Sequence, residues 1–363
     1  MDINSLPLEL VERIIDHVAR DGILVSLCSC ALTCRAWRFR AEYYLFHTIT
    51  INEKTIQTRR LESIFRHSPH LANFVRRLEV HTWDKHSPIL ELEYPSLVLL
   101  QVTLPWTDDT QWIFQTLTKF SSVSELSLLY CRIVDFSALL LMFPHLTLLD
   151  IFGGYINNCK TEIRHRSDIR TLGVQYLVAL VLSYMMDSFS FPNLQHLFLN
   201  ELPSSELSVT KQFLRVTGSS LEEFSIHLRG VDYAKFAYDI EHFLEDCPRL
   251  KLFSVRFNTQ GDLGDLDFID AMALLSPLLS HLPSTSLREV QIRGYLGLDN
   301  DSASDRLRPL DFLVSDPRFR GLEKLVIVDE HERMTENLIG QGLRDLLPLW
   351  KTQGIYHTWS REV

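Results

Sequence analysis

The sequence predicts an α/β fold: a small all-helical N-terminal segment, then repeated strand-and-helix units whose strands form a parallel sheet. Three observations carry that expectation. An apolar period of helical type begins within the first ten residues. From residue 75 onward a hexamer of the form apolar-x-x-apolar-x-apolar recurs ten times. Most successive hexamers are separated by twenty-odd residues, enough for one short strand and its return.

The helical segment reads "SLPLELVERIIDHV" over residues 5–18. Leu10, Ile14 and Val18 recur at i, i+4 and i+8, with Val11 and Ile15 beside them, which predicts one apolar helix face. Pro7 suits the first turn, where a missing N–H loses nothing.

The hexamers are VRRLEV, LVLLQV, VSELSL, LTLLDI, IRTLGV, LQHLFL, LEEFSI, LKLFSV, LREVQI and LEKLVI. Their fourth residues, Leu78, Leu100, Leu126, Leu149, Leu172, Leu197, Phe224, Phe253, Val290 and Leu325, lie 22, 26, 23, 23, 25, 27, 29, 37 and 35 apart. Such a period is the signature of a leucine-rich-repeat solenoid. Between hexamers, "TKQFLRVTGSS" and "DIEHFLEDCPR" have helical spacing, the second through Ile240, Phe243 and Leu244, and end at Gly218 or Pro248. The repeats resemble the irregular class, because Asn or Cys stands five residues after the fourth position only at Cys131 and Asn258. The acidic stretches 261–270 and 299–305 read as surface insertions in the longer final gaps.

After Val18 the chain continues "ARDGILVSLCSCALTCRAWRFRAEYYLFHTITI", and residues 5 to about 50 resemble an F-box. The resemblance rests on Leu6-Pro7, Glu9-Leu10, Ile14-Ile15, Leu27, Leu32, Cys34, Arg35, Trp37 and Leu45-Phe46. It departs in a longer connection between Val18 and Leu27 and in Thr33, where the pattern favours Val. It implies an adaptor-binding domain over residues 1–50 and a target-binding leucine-rich-repeat solenoid over 51–363. The implied partners are a Skp-type adaptor and, through it, a cullin–RING ubiquitin ligase. Leu6, Pro7, Leu10, Ile14, Ile15, Leu27, Cys34 and Trp37 are the adaptor-binding candidates. The physics agrees, since three short helices hide little apolar surface alone and a partner covers the surplus. The same helices could instead only cap the open edge of the repeat array, or do both with different faces.

Composition narrows the function. The 363 residues, 46% of them hydrophobic, suffice for two domains or a repeat array. A net charge of −10 argues against nucleic acid and anionic membranes as partners. Asp2, Glu9, Glu12 and Asp16 interrupt the N terminus where a signal peptide would be apolar, and "YLVALVLSYMM" from Tyr176 is too short to span a bilayer. A cytoplasmic or nuclear protein is expected. Cys28, Cys30 and Cys34 lack a nearby His to complete a metal site and read as buried thiols. Nucleophile elbows, phosphate loops and dinucleotide turns are absent, and "DEHERMTE" lacks the second His of a zinc protease. Asp262, Asp265, Asp267 and Asp270 lack the ligand pattern of an EF-hand loop. No enzyme activity, cofactor or metal is expected. The expected function is substrate recognition for a ubiquitin ligase; the alternative is a repeat scaffold that does not direct ubiquitination.

Strand alternation then proposes two target-binding features. If the fourth and sixth hexamer residues face the core, the third, fifth and seventh face outward. The outward set includes an apolar group, Leu129, Leu148, Phe152 and Phe198, and a cationic row, His227, Arg256 and Arg293. Glu223 and Glu289, at third positions, could neutralise that row.

Overall fold

Three helices open the chain: α1 (Leu8–Arg20), α2 (Leu24–Thr33) and α3 (Arg35–Phe46). Pro7 stands just before the first turn, and its carbonyl accepts the N–H groups of Leu10 and Val11 at 3.0 and 3.2 Å. Gly22, at φ +69°, makes the turn into α2, and an extended Cys34 separates α2 from α3. The core between the helices contains Val11, Ile15, Leu27, Cys30 and Ala41. The apolar face expected on α1 is therefore corrected. Val11 and Ile15 are its core stripe, with Val18 at the margin, and Leu10 and Ile14 lie outside it. A 3.6-residue period makes both stripes apolar, and only contact with α2 and α3 selects between them.

The computed structural model describes residues 6–52, 56–81, 89–103, 111–133, 136–156, 165–229, 242–258, 278–279, 286–294, 316–329 and 356–359. The chain divides into two units, Met1–Cys159 and Lys160–Val363. In the first, α1–α3 are followed by β1 (Thr48–Ile51), α4 (Ile56–His67), β2 (Arg77–Val80), β3 (Leu99–Thr103), α5 (Gln111–Leu117), β4 (Glu125–Ile133), α6 (Phe136–Leu141) and β5 (Leu148–Ile156). The five strands pair in parallel, in sequence order. Only His47 separates α3 from β1, so the expected domain boundary at residue 50 falls inside a paired strand. Helix α3 also packs on its neighbours through Phe39–Phe74 (centroids 5.1 Å apart) and Phe46–Phe65 (5.8 Å).

The second unit contains β6 (His165–Arg166), β7 (Thr171–Gln175), α7 (Val178–Ser188), β8 (Phe189–Ser190), β9 (His196–Leu202), α8 (Leu207–Thr217), β10 (Glu223–Arg229), β11 (Leu252–Asn258), β12 (Glu289–Gly294), β13 (Lys324–Asp329) and β14 (Tyr356–Trp359). Strand β7 and β9–β14 form a parallel sheet in that order, and β6 pairs with β8. The apolar stretch after Tyr176 is α7, whose Val181, Leu182 and Met185 are core residues. Helix α8 ends at Gly218, as its sequence predicts. The helix expected around Phe243 and Leu244 is instead a run of turns in its described part, and Ile240 lies outside the described residues. The acidic stretches 261–270 and 299–305 also lie outside them.

Each of the ten hexamers carries a strand, and the alternation is strict at its core positions. All ten fourth residues, from Leu78 to Leu325, are 0% exposed. A buried side chain of that size typically contributes ~1.5–3 kcal/mol. The strand starts share a second device. The carbonyls of His47, Arg76, Val98 and Ser124 in the first unit each accept two consecutive N–H groups from the next strand's start, at 2.8–3.1 Å. In the second unit the carbonyls of Arg170, Gln195, Glu222, Lys251 and Arg288 do the same. This ladder uses backbone alone, so it forms where the consensus Asn or Cys is missing.

At the eighth position of four successive repeats stands a left-handed residue: Tyr130 within β4, Gly153 within β5, Tyr176 just after β7 and Glu201 within β9. Gly154, at φ +117°, lies against the Cys131 backbone, where a Cβ would overlap the carbonyl oxygen. We expect Gly154→Ala to destabilise the first unit by ~2 kcal/mol or more, because overlap adds to the strain of a positive φ. Chemical denaturation of the full chain, wild type against variant, measures it.

A half-buried staple joins α1 to α3. The Arg40 guanidinium donates to both Asp16 oxygens at 2.8 and 3.0 Å, and the Tyr44 hydroxyl donates to Asp16 at 3.0 Å. The hydrogen bond from Arg40 holds the Asp16 carboxyl below its ordinary value. A carboxyl depressed in the folded state stabilises above its unfolded pKa, about 4, and that stabilisation is lost as pH falls through the folded value. Asp16→Asn should therefore cost ~1–2 kcal/mol at neutral pH and progressively less below pH ~4. Unfolding of both proteins across that range tests the sign.

Candidate functional site

Two surfaces qualify, and the first lies on the helices. Of the adaptor-binding candidates, Pro7, Leu10 and Ile14 are exposed, while Leu6 lies half-buried against the core. Ile15 and Leu27, expected as contact residues, are core residues of the helical unit at 0% and 3% exposure. Cys34 is half-buried at the break before α3. Trp37 packs on the core, and its indole N–H is enclosed without a hydrogen-bond acceptor among the described residues. The expectation of three buried thiols holds for Cys30 alone, since Cys28 is exposed.

Sequence reasoning missed part of this surface. Leu8 on α1, Ile23 before α2, and Leu24, Val25 and Leu32 on α2 are exposed, Leu32 by 87%. The signal was present. The sequence of α2, LVSLCSCALT, is apolar on more than one side, and a helix of that kind needs cover on more than one side. The α1–α3 unit encloses only Leu27 and Cys30 of that helix. A surplus of apolar side chains marks a protein-docking surface.

The second surface is the outward face of the strands. Within the first unit, Leu129 and Phe152 are register partners on β4 and β5, both half-buried, with Leu148 at the start of β5. Tyr130, exposed, packs edge-on against Phe152 at 5.1 Å. Between Leu148 and Phe152 stands Asp150, whose carboxyl is pushed up by burial and further by the charge of Glu125. These side chains make an apolar area with a carboxyl in its middle. Phe198 lies half-buried on β9 in the second unit, beside Gly173 and Ser225.

The cationic row is in register. His227, Arg256 and Arg293 are direct partners on β10, β11 and β12. Glu223 accepts a 2.9 Å contact from His196, its register partner on β9. Glu289 accepts from Lys324 at 3.0 Å and from Gln291 at 2.8 Å, and Gln291 accepts from Arg293 at 3.1 Å. The third-position glutamates thus engage cations and an amide at their own end of the strands.

Among the described residues no group of three or more His, Cys, Asp or Glu is placed to hold a metal ion. No helix among them is long and apolar enough to cross a membrane. Among curated proteins none matches this chain. Residues 3–52, which span α1–α3 and β1, match the family model described as F-box-like, and this supports an F-box protein.

Proposed function

We propose that the chain is the substrate-recognition subunit of a Skp–cullin–F-box ubiquitin ligase. Its N-terminal helices dock a Skp-type adaptor, and its parallel strands belong to an irregular leucine-rich-repeat solenoid that binds the target. The observation that carries this reading is the coincidence of the F-box-like match with helices whose outward side chains stay apolar: Leu8, Leu10, Ile14, Leu24, Val25 and Leu32. The chain is a binding subunit, and ubiquitin transfer belongs to other members of the assembly.

The join between helices and sheet supports the division of labour. A substrate receptor must hold its target at a set position relative to the adaptor. Here α3 enters β1 after a single residue and packs on Phe65 and Phe74 of the same unit.

Pull-down of a Skp-type adaptor by wild type and by a Leu10→Ala/Ile14→Ala double variant tests the docking face. Both side chains are exposed, so the fold is spared. Losing two apolar contacts of ~1 kcal/mol or more each lowers adaptor recovery at least tenfold at limiting concentration. Equal recovery from both would remove the face from the interface, and no recovery from wild type would overturn the function.

A further inference from the structure

The outward face of β10, β11 and β12 is graded along the strands. At the third hexamer position it carries Glu223, Leu252 and Glu289; at the fifth, Ser225, Ser254 and Gln291; at the seventh, His227, Arg256 and Arg293. Two glutamates and a leucine thus stand at one end, neutral polar side chains between, and two arginines and a histidine at the other. The acids are engaged locally, by His196 and Lys324. The register places two arginines opposite each other and a histidine beside them, in a chain with 46 acidic and 36 basic residues, and Arg293 also donates to Gln291 at 3.1 Å.

We propose that the His227–Arg256–Arg293 row contacts a run of aspartate or glutamate side chains in the target polypeptide. The proposal rests on the target-binding role given above to the strands and names the chemistry that they select. Neighbouring strands lie ~4.8 Å apart, so the row spans roughly 10 Å. That matches about three residues of extended chain, at ~3.3 Å each. One isolated anion reaches two neighbouring members of such a row, whereas a run of carboxylates reaches all three. Arginine's planar fork takes a carboxylate through two parallel hydrogen bonds. The net charge of −10 disfavours nucleic acid as the polyanion.

The test is fluorescence anisotropy of a short labelled oligoglutamate peptide titrated with the full chain, beside its oligoglutamine counterpart and a single-stranded oligothymidine. We expect the acidic peptide to bind at least tenfold more tightly than the neutral one, weakening as salt shortens the screening length from ~10 Å at 0.1 M to ~3 Å at 1 M. Arg256→Gln, at an exposed position, and the Arg256→Gln/Arg293→Gln pair should each weaken it, the pair by about tenfold or more. Lys251→Gln removes the same charge from an exposed residue before β11, outside the row, and should leave binding unchanged.

Equal binding of acidic and neutral peptides would overturn the proposal. So would an equal loss from Lys251→Gln, which reports net charge alone, or tighter binding of the oligonucleotide, which makes the row a nucleic-acid contact. Adaptor pull-down with the same proteins separates this result from the function proposed above. Variants that lose the peptide but keep the adaptor support the row. A wild type that binds the peptide without any adaptor leaves the row standing and overturns the ligase reading.

Discussion

At the start of nine strands one backbone carbonyl accepts two consecutive N–H groups from the next strand, and the register of the following residues depends on those bonds. From Ser124 the pairing continues Leu126↔Leu149 and Leu128↔Ile151; from Lys251 it continues Phe253↔Val290 and Arg256↔Arg293. A slip of one residue would turn every fourth-position side chain from the core to solvent. The ladder needs no particular side chain, so the repeat tolerates Arg, Val, Ser, Glu and Lys at the accepting position. Irregular repeats of unequal length can therefore share one register.

That register also determines which side chains can act together. Residues far apart in sequence, such as Arg256 and Arg293 or Leu129 and Phe152, become neighbours because each occupies the same place in its own repeat. The core positions are uniformly apolar and carry little individual information. The outward positions vary from repeat to repeat.

The N-terminal helices meet a different constraint. Their core is small, and the Asp16–Arg40–Tyr44 staple adds a directional tie between α1 and α3 that apolar packing alone does not supply. Aromatic contacts from α3 to Phe65 and Phe74 anchor one side of the bundle. Much apolar surface stays outside on α1 and α2, which is costly in water unless a partner covers it.

By itself the sequence determined the positions of the ten hexamer strands, their inward alternation and the N-terminal helical module. Apolar spacing reports these directly: the ten fourth positions from Leu78 to Leu325 are legible as core in the sequence, and all are buried. It also placed His227, Arg256 and Arg293 at equivalent positions, because a repeat converts sequence offset into spatial adjacency. Only the tertiary structure decided which stripe of α1 is core, since Leu10/Ile14 and Val11/Ile15 are equally apolar and differ only in what they meet. Only it showed Leu27 enclosed while Leu32 on the same helix is open, and that Glu223 turns to His196. The left-handed conformations of Tyr130, Tyr176 and Glu201 were equally hidden, because side chains other than glycine give no local sign of a positive φ that packing imposes.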